Sequence, residues 1–140
     1  MFRWLYPNYP GGRVAFGLFL LRLMFGLGFM VHGYPKIIDI GSFAAKAGLP
    51  MPLAALAAGT EFIGGGLLVL GFLTPLVTAF SVIEMLVAVI KVHILTMHQG
   101  FVQGWEMAAL YLVANLAIFF TSPGSFSIDA LLSKPKSAAK

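Results

Sequence analysis

The chain has 140 residues, 59% of them apolar and only 10% charged, and its mean hydropathy of +0.92 lies outside the range of a soluble domain. Nine basic and five acidic side chains cannot build the polar shell that water demands, so a water-soluble domain is excluded and the lipid bilayer is the expected solvent. The complete lack of cysteine excludes disulfides, thiolate metal sites and thiol-relay chemistry.

The first predicted span covers 14–32 and carries Arg22 in its middle and His32 at its end. It is too long for the apolar region of a signal peptide and lacks a small-residue cleavage site, so it is expected to persist in the mature protein. The connection 34–51 holds Lys36 and Lys46, and its Ile37, Ile38, Ile40 and Phe43 suggest a segment lying at the membrane interface. A second span, 52–72, places Glu61 among Gly59, Gly64, Gly65 and Gly66, a run whose default reading is close helix packing. Gly71 and Thr74-Pro75 then punctuate a tight turn into the third span, 75–97, which bears Glu84, Lys91 and His93. Gly100 and Gly104 bracket the next turn, and the fourth span, 105–122, begins with Trp105-Glu106 and closes at Pro123-Gly124. Each span has roughly the 17–25 residues that a bilayer core requires. The predicted fold is therefore all-α: one membrane domain over 1–140, a four-transmembrane-helix bundle.

Four spans put both termini on one face. Arg3, Arg13, Lys134, Lys136 and Lys140 lie there, against Lys36 and Lys46 opposite, and the positive-inside rule then makes the termini cytoplasmic. This basic clustering suits anionic headgroups, and no nucleic-acid partner is expected. The localisation that follows is the inner, cytoplasmic membrane of the cell.

Ionisable groups within spans are costly and tend to face a bundle interior or a water-filled cavity. Counted from the helix ends, Arg22 lies roughly 12 Å deep and Glu61 and Glu84 roughly 14 Å deep, all near the midplane. Arg22 is thus expected to contact Glu61, with Glu84 near enough to share the arginine. His32, His93 and Glu106 form a tier closer to the outer surface. Glu84, Lys91 and His98 recur every seven residues and share one helix face, from which His93 points away. Lys91 is accordingly expected to snorkel to the interface. The candidate ligand-binding set is Arg22, His32, Glu61, His93 and Glu106, bounding a pocket open to the outside with Arg22 at its floor and Lys36 near its entrance. Two plain readings stand beside it: an Arg22–Glu61 ion pair that only locks helices, and histidines that only bond carbonyls. Haem or chlorin ligation by His32 or His93 stays open, and no metal site is predicted.

In order, Arg22, His32-Gly33, Lys36, Glu61, Gly64-Gly65-Gly66, Leu70-Gly71, Thr74-Pro75, Met85, Val92-His93, Gly100-Phe101, Gly104-Trp105-Glu106, Pro123-Gly124, Ser127 and Asp129 resemble the pattern of DoxX/DoxD-type membrane proteins. Met107 and Ser122 depart from it, where an aromatic residue and a glycine are common. The resemblance implies a four-helix, oxidoreductase-associated membrane subunit. DoxD is linked to electron transfer from thiosulfate to quinone, and no catalytic residues carry over. The leading expectation is a quinone-interacting subunit that supports electron transfer, with no intrinsic cofactor and a bound quinone. Since the chain offers no redox centre of its own, the electrons would be carried by that quinone or a partner. The alternatives are a non-catalytic accessory subunit of a respiratory or photosynthetic complex, and a carrier for a small hydrophobic solute. A membrane-protein partner or a homo-oligomer is expected.

Overall fold

The computed structural model describes residues 4–96, 98 and 100–133; Arg3, Met97, Lys134, Lys136 and Lys140, which entered the span and charge expectations, lie outside these described residues. All regular structure among them is helical. Helix α1 spans Gly12–Ile38, α2 Ile40–Ala47, α3 Met51–Leu70, α4 Thr74–Leu95, α5 Glu106–Thr121 and α6 Ile128–Ser133. Three of them, α1, α3 and α4, are long and apolar enough to cross a membrane, and α5 is a shorter apolar helix of 16 residues entered through a π-helical turn, Phe101–Trp105. Their outer faces are covered with exposed Leu, Ile, Val, Phe and Met side chains, as lipid contact requires.

Helix α1 runs on past the expected end at His32 and takes Pro35 into its last turns. Asp39 then opens α2 by accepting the Ser42 N–H at 3.0 Å, and the Ser42 hydroxyl, followed by this N–H, holds its carboxyl below the usual carboxylate range. Gly48, in the left-handed conformation at φ 61°, ends α2. The connection between the first two long helices is thus a short helix, packed on α1 and α3.

Antiparallel packing of α1 on α3 depends on glycine. A Cβ at Gly26 would stand 2.6 Å from the Gly65 carbonyl oxygen, and one at Gly33 would stand 2.5 Å from the Phe62 nitrogen. Missing side chains at these crossings let the two backbones touch; of the glycine run Gly65 serves this contact, whereas a Cβ at Gly59 would meet nothing within 4 Å. Helices α4 and α5 pair along their length. One apolar cluster joins Leu68, Val77 and Ile118 near the end that holds the termini, and another joins Phe29, Met85, Val89, Ala108 and Tyr111 towards the distal end.

The terminal end is closed by polar contacts. Tyr6 Oη donates to the Phe119 carbonyl at 2.7 Å, Tyr9 and Ser133 hydroxyls meet at 3.0 Å, and Ser125 N–H donates to the Pro10 carbonyl at 2.9 Å. Buried Asp129 accepts the Leu73 and Thr74 N–H groups at 3.0 and 2.8 Å. It therefore caps α4 from a distant part of the chain. Leu73 sits at φ 53°, a conformation disfavoured for a side chain with a Cβ, and this cap holds it there.

Burial, followed by the neighbouring Tyr9 and Asp129, pushes the Tyr6 phenol up to about 12 from 10.0. Because the folded state holds this proton more tightly than the unfolded chain does, its contribution is fully present below pH 10.0 and is lost as pH rises towards about 12. Detergent-solubilised stability should fall through that window, and Tyr6→Phe should flatten the fall. An identical alkaline profile in Tyr6→Phe would refute the assignment.

Arg22 corrects an expectation. Its guanidinium donates to the Leu68 and Val69 carbonyls at 3.2 and 3.1 Å and to that of Phe126, beside the attracting carboxylate of Asp129. It does not reach Glu61. Glu61 lies opposite Gly33, eleven residues further along α1, or roughly 16 Å at 1.5 Å per residue. The depth estimate failed because the first ten residues of α1 overhang the 71–74 turn, where Ala15 and Leu18 pack on Gly124. Counting from the start of α1 therefore placed Arg22 too deep.

Candidate functional site

Two adjoining cavities open in the distal half of the bundle, of about 400 and 260 Å3. Lys36, Glu61, Met85, Ala88 and His93 line both, so these residues form the wall the two chambers share.

The centre of that wall is an ion pair. Lys36 Nζ stands 2.5 Å from Glu61 Oε1, with side chains 28% and 5% exposed. Lys36 comes from α1 one turn beyond His32. Its ammonium also lies 4.9 Å from the ring centroid of Phe43 on α2, a cation–π distance. Glu61 comes from α3 at a π-helical turn, Thr60–Gly64, where the wider winding re-aims a side chain; such turns frequently mark functional sites. The Glu84 carboxyl of α4 neighbours that of Glu61. Oε2 of each is buried, and the two carboxyls are hydrogen-bonded to each other.

The larger chamber is otherwise apolar, walled by Leu49, Leu53, Leu56, Phe80, Ile83 and Val87 with Lys46 at its rim. Leu53, Leu56, Phe80 and Ile83 are each at least half exposed on the outer surface of α3 and α4, so the chamber borders the lipid-facing side between these helices. The smaller chamber is lined by Phe29, His32, Met107, Ala108 and Tyr111. His32 stands edge-on to the Tyr111 ring at 6.0 Å, and Tyr111 is tilted against Phe29 at 4.6 Å.

Of the predicted set, Glu61 and His93 line both chambers and His32 lines the smaller. Arg22 and Glu106 line neither. Arg22 belongs to the terminal-end network described above, and Glu106 sits half-buried in the first turn of α5. Glu84 and Lys36 are central, although neither was in the predicted set. Their signals were the charge at depth in the third span and the i, i+4 spacing from His32 to Lys36. Lys91 Nζ donates to the Gly48 carbonyl at 3.3 Å, reaching outward as expected of a snorkelling side chain. Glu84 and His93 nevertheless share the larger chamber, because the chain turns π-helical within α4, over Ala88–Thr96, and the angular arithmetic of a regular α-helix does not hold there. Among the described residues no group of three or more His, Cys, Asp or Glu side chains is arranged to hold a metal ion.

Comparison with known proteins gives two matches. The DoxX family profile matches residues 17–94. A Bacillus subtilis (strain 168) protein named "Putative oxidoreductase CatD" is 28% identical over 123 residues, which cover 86% of this chain and 90% of the relative. No solved structure matches.

Proposed function

Because this chain belongs to the DoxX family of membrane proteins, we propose that it is a quinone-interacting subunit supporting electron transfer in the cytoplasmic membrane. In this reading α1, α3, α4 and α5 all cross the bilayer as one domain, with both termini in the cytoplasm.

The observation that carries the proposal is the placement of Lys36, Glu61, Glu84 and His93 at one side of an apolar chamber that borders lipid. A quinone has a polar ring and an apolar tail. The ring oxygens need a few fixed polar groups, and the tail needs an apolar exit. A chamber of about 400 Å3 lies in the range of small-molecule sites. Its exposed wall of Leu53, Leu56, Phe80 and Ile83 suits a tail leaving between α3 and α4 into the bilayer. Lys36 and His93 offer donors, the glutamates offer acceptors and proton exchange, and the quinone carries the electrons. The description of the Bacillus relative as an oxidoreductase is in keeping with this role.

Mass spectrometry of lipid extracted from the purified, full-length protein tests the reading. Near-stoichiometric quinone is expected in the wild type and a severalfold loss in Ala57→Phe, which fills the chamber from α3 one turn before Glu61. Quinone-free wild-type protein that instead copurifies with a stoichiometric membrane-protein partner would overturn the proposal in favour of an accessory subunit.

A further inference from the structure

From the lysines at the distal end of the larger chamber, we infer that the apolar groove between α3 and α4 seats one acyl chain of an anionic phospholipid whose headgroup rests on Lys46 and Lys91. The inference does not depend on the quinone reading.

Leu53, Leu56 and Thr60 on α3 and Phe80, Ile83 and Val87 on α4 line this chamber. Each set follows the spacing i, i+3, i+7, which keeps three side chains on one face of a helix. Both stripes reach the outer surface: Leu53, Leu56, Phe80 and Ile83 are at least half exposed, and Val87 is 38% exposed. Thr60 adds little polarity, because its hydroxyl donates to the Leu56 carbonyl of its own helix at 2.9 Å. The carboxyls behind the groove are also committed, Glu61 to Lys36 at 2.5 Å and Glu84 to Glu61. What faces the bilayer here is hydrocarbon, and an unfilled groove would forfeit the packing contacts that a chain supplies.

The groove has one charged end. Lys46, exposed on α2, lies at its rim and makes no ion pair or hydrogen bond among the described residues. Lys91, exposed on α4, donates to the Gly48 carbonyl at 3.3 Å, two residues past Lys46, so both ammonium groups lie at the distal end. Lys91 stands eleven residues beyond Phe80, roughly 16 Å along the helix. One leaflet of a ~30 Å hydrocarbon core is about as deep. A chain that starts at the lysines thus ends near Phe80, close to the bilayer middle. An anionic headgroup complements the two cations, whereas a zwitterionic one brings a further cation beside them. A quinone tail would use the same opening, so bound lipid and bound quinone exclude each other there.

Native mass spectrometry of the full-length protein, equilibrated in detergent with equal amounts of phosphatidylglycerol and phosphatidylcholine of identical chains, tests the inference. Each lysine is worth about fivefold, from ~1 kcal/mol of attraction to an anionic headgroup. One phosphatidylglycerol should therefore be retained over phosphatidylcholine by more than tenfold. Lys46→Gln, a change at an exposed side chain, should cut that preference about fivefold, and adding Lys91→Gln should bring it near parity. Arg13→Gln, at the opposite end of the bundle, should leave it unchanged. Ala57→Phe, which fills the groove, should lose the retained lipid; the lysine variants decide the matter if this one does not fold. Parity in the wild type, a preference that survives both lysine changes, or an equal drop in Arg13→Gln overturns the inference. A protein that keeps quinone and takes up no phospholipid from excess phosphatidylglycerol also overturns it, and gives the groove to the quinone tail. The quinone reading is decided separately, by the quinone content of the lipid extract.

Discussion

Asp129→Ala is expected to lower the unfolding free energy by roughly 2–6 kcal/mol, the cost of leaving two N–H donors without their acceptor at about 1–3 kcal/mol each. The carboxylate accepts both the Leu73 and the Thr74 N–H, and its loss uncaps α4 at a turn where Leu73 already holds φ 53°. It also leaves the fully buried Arg22 with carbonyl partners but without the neighbouring negative charge. Asp129→Asn keeps an acceptor and should lose less. Denaturant titration in detergent, followed by circular dichroism, measures both variants. An Asp129→Ala loss of under about 1 kcal/mol, as expected of an ordinary surface change, would refute the role given to this network.

Gly33→Ala should cost roughly 1–3 kcal/mol through overpacking, although alanine is the better helix former by about 1 kcal/mol. The added Cβ would lie 2.5 Å from the Phe62 nitrogen and 2.8 Å from Glu61 Cβ. The first of these atoms is backbone, so no rotamer change relieves the contact and α1 must move away from α3. That movement carries Lys36 from Glu61, and the quinone recovered with the purified protein should fall severalfold as well. Gly17→Ala is the matched control on the same helix. A Cβ there meets nothing within 4 Å, so the change should be neutral or slightly stabilising. Equal thermal midpoints for the two variants would show that the α1–α3 contact does not demand glycine at position 33.

What was legible in the sequence followed from local chemistry. The second apolar helix stops and the third starts within two residues of expectation because Gly71 and Thr74-Pro75 are strong terminators and starters whatever surrounds them. The first helix overran its expected end. Gly33 serves an interhelical contact instead of ending the helix, and Pro35 is accommodated in the last turns, where few bonds depend on it. Glu61, His32 and His93 were identifiable as ionisable groups at depth. Their mutual arrangement was not, since it depends on two π-helical stretches, Thr60–Gly64 and Ala88–Thr96, that shift the angular phase and carry no distinctive composition. Arg22 was misplaced for a different reason: depth along one helix converts to depth in a bundle only if helix ends are level, and α1 overhangs.

The bonding of Arg22 also constrains how the protein is made. Translation delivers α1 first, with an arginine that must wait for acceptors on α3 at Leu68 and Val69 and for the Phe126 carbonyl, more than a hundred residues later in the chain. Until the segment leading to Asp129 emerges from the ribosome, the guanidinium lacks its last carbonyl, the neighbouring carboxylate is missing, and α4 has no cap. A nascent chain interrupted after α5 has all its long apolar helices inserted, yet its first helix still carries an incompletely compensated cation. Such a chain differs from one that has reached Asp129 in a property that membrane quality control can read, so the folding of the whole bundle waits on the few residues around Phe126 and Asp129.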